Sequence, residues 1–335
     1  MVKLSCRKDL EDYCISNSIK IEDFNEPVEI LSDVIDCSFM FDGCKSFNQP
    51  VIIPDSVTTC SFMFYGCINF NKPVNIPNSI KDCKSMFKDC INFNQPITIP
   101  DSVTTCSFMF YGCKSFNQPV DIPSNVISCD GMFCDCKSFN QIVIIPYSVT
   151  KCSVMFNGCE SFNQTVVIPN SVTNCECMFD GCKSFNQIVI IPNSVKNCGH
   201  MFRDCKSFNQ PVTIPSNATD CEYMFCDCKS FNQPVVIPNG VTSCKYMFWD
   251  CKSFNQPISI PSNVTNCNGM FQGCDYFNQP VIIPNSVKNY GHMFKDCKSL
   301  NQPIIMPNDV TGFKIMLASC EIKYDIASNK TDLFK

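Results

Sequence analysis

Twenty-nine cysteines and two histidines hold most of the reactive chemistry in this 335-residue sequence. Cysteine can close disulfides, hold metal ions or act as a nucleophile. Spacing decides which of these is open. One row runs from Cys14 through Cys37 and Cys60 to Cys267 in steps of 23 residues, and a second runs from Cys44 to Cys320 in the same step. Only Cys6, Cys134, Cys177 and Cys226 stand outside the two rows. Zinc needs four ligands converging on a point, whereas these rows extend along the whole chain. Ladder side chains point in parallel, which is poor geometry for bridging sulfurs. The rows therefore predict small buried thiols, one of each kind per repeat. The off-register Cys134, Cys177 and Cys226 are expected at exposed positions, with nothing nearby to lower their pKa. His200 and His292 share one slot of the repeat but lie four repeats apart. At strand spacing that is about 20 Å, too far for a shared site. With no base, orienting group or oxyanion donors assembled around a thiol, the chain reads as a non-enzyme. No cofactor is expected.

The cysteine ruler measures an internal repeat, which outranks local readings. One unit runs Phe47-Asn48-Gln49-Pro50-Val51-Ile52-Ile53-Pro54-Asp55-Ser56-Val57-Thr58-Thr59-Cys60-Ser61-Phe62-Met63-Phe64-Tyr65-Gly66-Cys67-Ile68-Asn69. From Gln49 to Ile53 the residues alternate, with Val51 and Ile53 on one face and Pro50 and Ile52 on the other. That pattern predicts a short strand with one buried face, ended by Pro54. Ser56 and its equivalents Ser102, Asn125, Gly240, Asn263 and Asp309 suit a helix N-cap. Val57, Cys60, Phe64 and Cys67 then follow at helical spacing. Gly or Asp precedes the second-row cysteines from Cys44 to Cys297, as at Gly43, Gly66, Asp89 and Asp135, where a left-handed residue can close the helix. A single rung cannot bury its own apolar face, so rungs must stack. At strand spacing the array spans roughly 60 Å. The expected domains are an N-terminal cap over 1–23, a repeat array over 24–320 and a C-terminal cap over 321–335.

Composition bounds the partners. Hydrophobic residues make up 45% and charged ones 17%, a folding composition. The formal charge is −5, so nucleic acid is not expected as a partner. Apolar runs such as Ile142 to Pro146 fall far short of the roughly 20 residues of a membrane span. The start, Met1-Val2-Lys3-Leu4-Ser5-Cys6-Arg7, lacks the apolar stretch of a secretory signal. A cytoplasmic location is the expectation, with a virion or cell surface as the alternative.

Ile-Pro-Asn-Ser-Val followed by a second-row cysteine resembles the BspA-like (Treponema-type) leucine-rich repeats. The phrase Met-Phe-x-Gly-Cys-Lys-Ser-Phe-Asn-Gln, at Met109 to Gln118, is similar to repeats of mycoplasma-type surface lipoproteins. Phe-Asn-Gln-Pro is similar to the FNIP repeats of amoebae and giant viruses. The resemblance implies an α/β solenoid, a right-handed leucine-rich-repeat-like array of 23-residue rungs. A parallel strand ladder would line one side and short α or 3₁₀ helices the other. It also implies either a scaffold for protein–protein interaction or a surface adhesin.

Function in such an array belongs where the repeat varies on an outward face. The first outer position of the strand is Pro in most rungs but becomes Ile142, Thr165 and Ile188. The second is Ile144, Val167 and Ile190 in those rungs, where earlier ones have Asn75, Thr98 and Asp121. With Tyr147 at the margin, these seven residues are the candidate site for an unidentified protein partner. On the opposite side, Phe62 with Tyr65, Phe108 with Tyr111 and Tyr246 with Trp249 form aromatic pairs that could anchor a partner or a second copy of the chain. The lysine row from Lys45 to Lys298 has acidic neighbours and reads as a solvated, partly neutralised edge. The Asn48 row suits side-chain hydrogen bonds from rung to rung.

Overall fold

The repeat asks for two large rings per rung to be buried while every rung stays hydrogen-bonded to the next, and the fold follows from that demand. A computed structural model describes residues 1–306, 316–318 and 320. The expected C-terminal cap, 321–335, lies outside the described residues. The chain divides into Met1–Phe185 and Asn186–Lys335, taken in turn.

The first unit opens with β1 (Val2–Leu4) and α1 (Arg7–Ser16), then β2 (Val28–Ile30). β1 pairs in parallel with β2, Val2 opposite Val28 and Leu4 opposite Ile30. Val2 and Leu4 face inward with Leu10 and Cys14 of α1. Arg7 holds α1 to the first rung, donating from Nη1 to the Met40 carbonyl at 3.4 Å.

Beyond β2 the expected helices are replaced by runs of tight turns. The Met63 N–H donates to the Cys60 carbonyl (3.1 Å), Tyr65 to Phe62 (3.1 Å) and Cys67 to Phe64 (3.0 Å). The N–H groups between them leave the rung: Phe62 donates to Lys84 (2.9 Å), Phe64 to Met86 (2.9 Å) and Gly66 to Lys88 (2.8 Å). An α-helix would consume all of these donors internally and leave none for the neighbouring rung. Left-handed residues twice per rung, such as Phe62 (φ 57°) and Gly66 (φ 70°), allow the alternation. Ser56, expected as an N-cap, instead donates its hydroxyl to the Val34 carbonyl of the preceding rung at 2.6 Å.

The strand expectation also needs correcting. Val51 and Ile53 are buried and Ile52 is exposed, so the alternation is real. Yet in this unit, among the described residues, only β1 and β2 pair as strands. Single parallel bridges lie elsewhere, one residue before the first-row cysteines from Cys37 onward, as in Thr59 with Asp82 and Asp82 with Thr105. Ring separations explain the shift. Equivalent rings sit 4.8 Å apart at Phe39 and Phe62, 5.4 Å at Phe41 and Phe64, and 5.9 Å at Phe47 and Phe70. Neighbouring strands need about 4.7–4.9 Å, so the rungs are too far apart on the Phe47 side. Each rung must house two nearly parallel rings, as Phe41 and Phe47 at 4.4 Å, and both columns are fully buried.

Asparagine spans the wide side. Asn48 Oδ1 accepts the backbone N–H of Asn71 (3.0 Å), Asn71 that of Asn94 (3.0 Å) and Asn117 that of Asn140 (2.9 Å). The following glutamine donates to the same oxygen, Gln141 Nε2 reaching Asn117 Oδ1 at 3.1 Å.

The second unit repeats the scheme. Bridges join Asp220 with Ser243 and Ser243 with Asn266, and Asn209 Oδ1 accepts the Asn232 N–H at 2.9 Å. Its one strand pair among the described residues is β3 (Val281–Ile282) with β4 (Ile304–Ile305). Here Leu300 follows Phe277 in the ring column. Likewise, one period before Phe24 the column position is Met1. Both strand pairs therefore occur where the column lacks a second phenylalanine.

Two outcomes follow. Asn117→Ala strips the acceptor from a half-buried backbone N–H and should cost about 1–3 kcal/mol in urea unfolding, whereas Gln141→Ala should cost less than half as much. Phe139→Leu should cost roughly 1–2 kcal/mol but let Val120 N–H reach the Ile142 carbonyl. Hydrogen exchange at Val120 should slow about tenfold or more; unchanged exchange in a folded variant would remove ring thickness as the cause of the splay.

Candidate functional site

The extended segment Gln141–Ile145 has Val143 and Ile145 turned into the core, which forces Ile142 and Ile144 outward. They are 66% and 78% exposed. One period on, Thr165 and Val167 are outward in the same way, with Val167 at 76%, and Tyr147 is exposed in the turn after Pro146. These five belong to the first unit. Ile188 and Ile190 belong to the second, where both are exposed. Sequence reading placed Ile52 on the outer face but left it out of the candidate site, as it did Val236 and Ile282, which occupy the same outer slot and are also exposed. The period alone marks them, since each lies a whole number of repeats from Ile144. Ile52 differs in its setting: Pro50 shares its rung, and Glu29 and Asn75 hold its slot in the adjacent rungs.

The cysteine rows are interior. Cys67 donates from Sγ to the Phe41 carbonyl (3.0 Å), Cys90 to Phe64 (2.9 Å) and Cys113 to Phe87 (3.0 Å). In the second unit Cys228, Cys251 and Cys274 donate to Phe202, Phe225 and Phe248 at 2.8–3.0 Å. Burial pushes these thiols well above the usual range, as at Cys67, Cys90 and Cys113. In the first row burial lifts Cys198 and Cys267 to about 12. Among the described residues no disulfide joins any pair. Among the described residues no group of three His, Cys, Asp or Glu side chains is placed to hold a metal ion.

The off-register cysteines do not stand exposed as expected. Cys134 and Cys226 are buried and Cys177 is half-buried. The slots are on the turn ladder, where a short side chain sinks between larger neighbours; Cys134 lies 3.5 Å from Asn157 Oδ1 and burial lifts it to about 12. The His200 ring stacks on Tyr223 at 4.5 Å.

The aromatic pairs meet edge to face, Phe62 with Tyr65 at 6.1 Å and Phe108 with Tyr111 at 6.3 Å. These four rings are half-buried, whereas Trp249, paired with Tyr246 at 5.2 Å, is exposed. The Phe108 ring covers Gly131, where an added Cβ would fall 2.4 Å from the ring, and Tyr246 covers Gly269 in the same way. Lys88 Nζ lies 5.2 Å from the centre of Tyr65 and 4.9 Å from Tyr111. The lysine edge is partly neutralised: Glu160 pairs with Lys137 (2.8 Å) and Lys183 (3.0 Å), and Asp275 with Lys252 (3.5 Å) and Lys298 (3.1 Å). Hydrogen bonding from Lys137 holds the Glu160 carboxyl below its ordinary pKa. No helix among the described residues is long and apolar enough to cross a membrane.

Two crystal structures place this geometry among known folds. A leucine-rich repeat protein from Bacteroides ovatus matches with a TM-score of 0.63 at 20% identity, over 84% of this chain and 72% of that one. A leucine rich cell surface protein from Faecalibacterium prausnitzii matches with a TM-score of 0.53 at 20% identity, over 87% and 81%. At that identity the likeness is one of fold, and the BspA-like leucine-rich-repeat resemblance holds. The FNIP likeness has no counterpart among them. The comparison with curated protein sequences returned no match. One family model covers residues 35–145, 81–193, 123–212, 150–260, 192–280 and 238–325, so the chain belongs to the family described as Mycoplasma protein of unknown function, DUF285.

Proposed function

We propose that this chain is a non-enzymatic repeat scaffold that captures another protein on the outward face of its extended segments. One observation carries the reading. In two successive rungs of the first unit, Ile142 with Ile144 and Thr165 with Val167, neither outer slot holds proline and three of the four residues are exposed aliphatics. Exposed aliphatic groups gathered in one place gain from being covered, at roughly 25 cal/mol per Å² of apolar surface. The patch lacks charge, so the partner must answer with apolar side chains, with Tyr147 and Thr165 supplying the polar margin. Ile188 and Ile190 present the same chemistry in the second unit.

A second reading is display on a cell or virion surface. It is favoured by the F. prausnitzii relative, whose name places that protein at the cell surface. The interior thiols favour a reducing compartment instead, because each hydrogen-bonded Sγ–H must keep its proton.

Val167→Lys should change unfolding stability by less than about 0.5 kcal/mol, because the side chain is solvated, and should weaken capture of the partner from the source cell about tenfold or more. Ile52→Lys, in the same slot beside polar neighbours, should leave capture unaltered. Equal capture by wild type and Val167→Lys would take the patch out of consideration. Alkylating natively sourced protein in denaturant without reductant should modify all 29 cysteines. A shortfall would mean disulfides and favour the surface reading.

A further inference from the structure

The thiols do more than fill space. In both units the second-row sulfur donates to a phenylalanine carbonyl 26 residues earlier, as Cys113 to Phe87, Cys136 to Phe110 and Cys251 to Phe225 at 2.8–3.0 Å. That carbonyl already accepts an N–H from its own rung, as Phe87 does from Cys90 at 3.0 Å. Both the donor and the carbonyl's residue are fully buried. The arrangement works only for a protonated, uncombined sulfur. Joining Cys113 to Cys136 would turn both sulfurs from their carbonyls, and adding an oxygen to either would need room in a packed interior.

We infer that this thiol ladder makes the fold a one-way redox gate: an assembled array shields its interior cysteines from a peroxide-class oxidant, and a chain already bridged by disulfides cannot assemble. The chemistry being gated is ordinary. A thiol sulfur attacks peroxide, the O–O bond breaks, and sulfenic acid and water form. A second thiol attacks that sulfur, the S–O bond breaks, an S–S bond forms and another water leaves. Two thiols together lose two electrons and two protons, and one peroxide becomes two waters.

The assembled state slows the first step twice over. No oxidant reaches a sulfur with no accessible surface, and the nucleophilic thiolate is scarce where burial raises the pKa, as at Cys90 and Cys251. The unfolded chain has neither defence. Its cysteines are solvated, and consecutive ones such as Cys37, Cys44 and Cys60 close short loops at little entropic cost. The inference is independent of the partner-binding reading, since it uses interior groups and its test involves no partner.

The test uses the full reduced chain and its Cys6→Ser variant, which removes the one cysteine that is fully exposed. Each is treated with hydrogen peroxide at neutral pH, folded or in guanidinium, then quenched with catalase and its thiols counted after denaturation. Interior thiols should disappear roughly 100-fold or more slowly in the folded protein. In parallel, the chain is synthesised without cells in reduced or oxidised glutathione and probed with trypsin. The reduced product should resist digestion; the oxidised product should be digested until dithiothreitol is added. Loss of interior thiols at the unfolded rate would overturn the shielding half of the inference. A trypsin-resistant product with its disulfides still in place would overturn the assembly half.

Discussion

Rung separation is the constraint on which this structure depends. A stack of near-identical rungs would have one separation if every row of atoms asked for the same one, and here they do not. Turn backbones bond across about 4.8 Å, while the buried rings of the Phe47 column lie 5.9–6.0 Å apart at Phe70, Phe93 and Phe116. Neither side yields. The rungs close up along the turn ladder and open along the rings. On the open side a direct strand bond is out of reach, and the side chain of Asn48 or Asn117 supplies the missing length. Asparagine suits the position because its amide oxygen can take a backbone N–H and the glutamine Nε2 together. Strand pairing returns where the ring column ends, at β1 with β2 and at β3 with β4.

The same constraint explains why the interior is cysteine-rich rather than leucine-rich. A phenylalanine carbonyl held inside the stack by one N–H has spare acceptor capacity, and a thiol can meet it with a weak donor while behaving otherwise as a small apolar group. Leucine there would leave the carbonyl without that second partner and would add bulk beside two ring columns. The polarisable sulfur also sits well among aromatic rings. Packing and polar satisfaction are thus met by one side chain repeated in every rung.

Much of this was legible in the sequence. The 23-residue period, the inward Val51 and Ile53, the outward Ile144 and the left-handed Gly66 or Asp89 can be read directly, because each reflects a property of a single residue type. The turn ladder was not legible. Val57, Cys60, Phe64 and Cys67 fit a helical stripe, but the same spacing arises when turns closing on the third residue alternate with left-handed residues. The left-handed slot itself holds Phe62, Ser85, Val154 or His200, types with no shared preference for it, so stacking between rungs imposes the conformation there. Met63 and Phe64 are adjacent and both fully buried, as are their equivalents in other rungs, which rules out a strand there but suits a one-faced helix, so burial alone did not separate helix from turns. The splay could not be read either, because it depends on a distance between columns and not on any residue's preference.

A repeat so constrained inside leaves few positions free to differ. In a typical rung the rings, the methionine, both row cysteines and the asparagine are committed to the neighbours above and below. Outside the two strand pairs, where Pro27, Pro303 and Ile305 accept backbone N–H groups, the outer slots of the extended segment are not tied into a ladder, and their side chains face solvent. Variation there carries little structural cost, so it is where a partner's demands can be written. Proline is the usual occupant of the first slot, as at Pro50, Pro73 and Pro96, and it fixes the backbone while offering no donor. Its replacement by Ile142 and Thr165 forfeits that rigidity, and both replacing side chains point to solvent rather than into the fold. A change that costs local order and returns nothing to the interior is what the proposed partner site would call for, and the aliphatic Ile144 and Val167 beside it would give such a contact its apolar character.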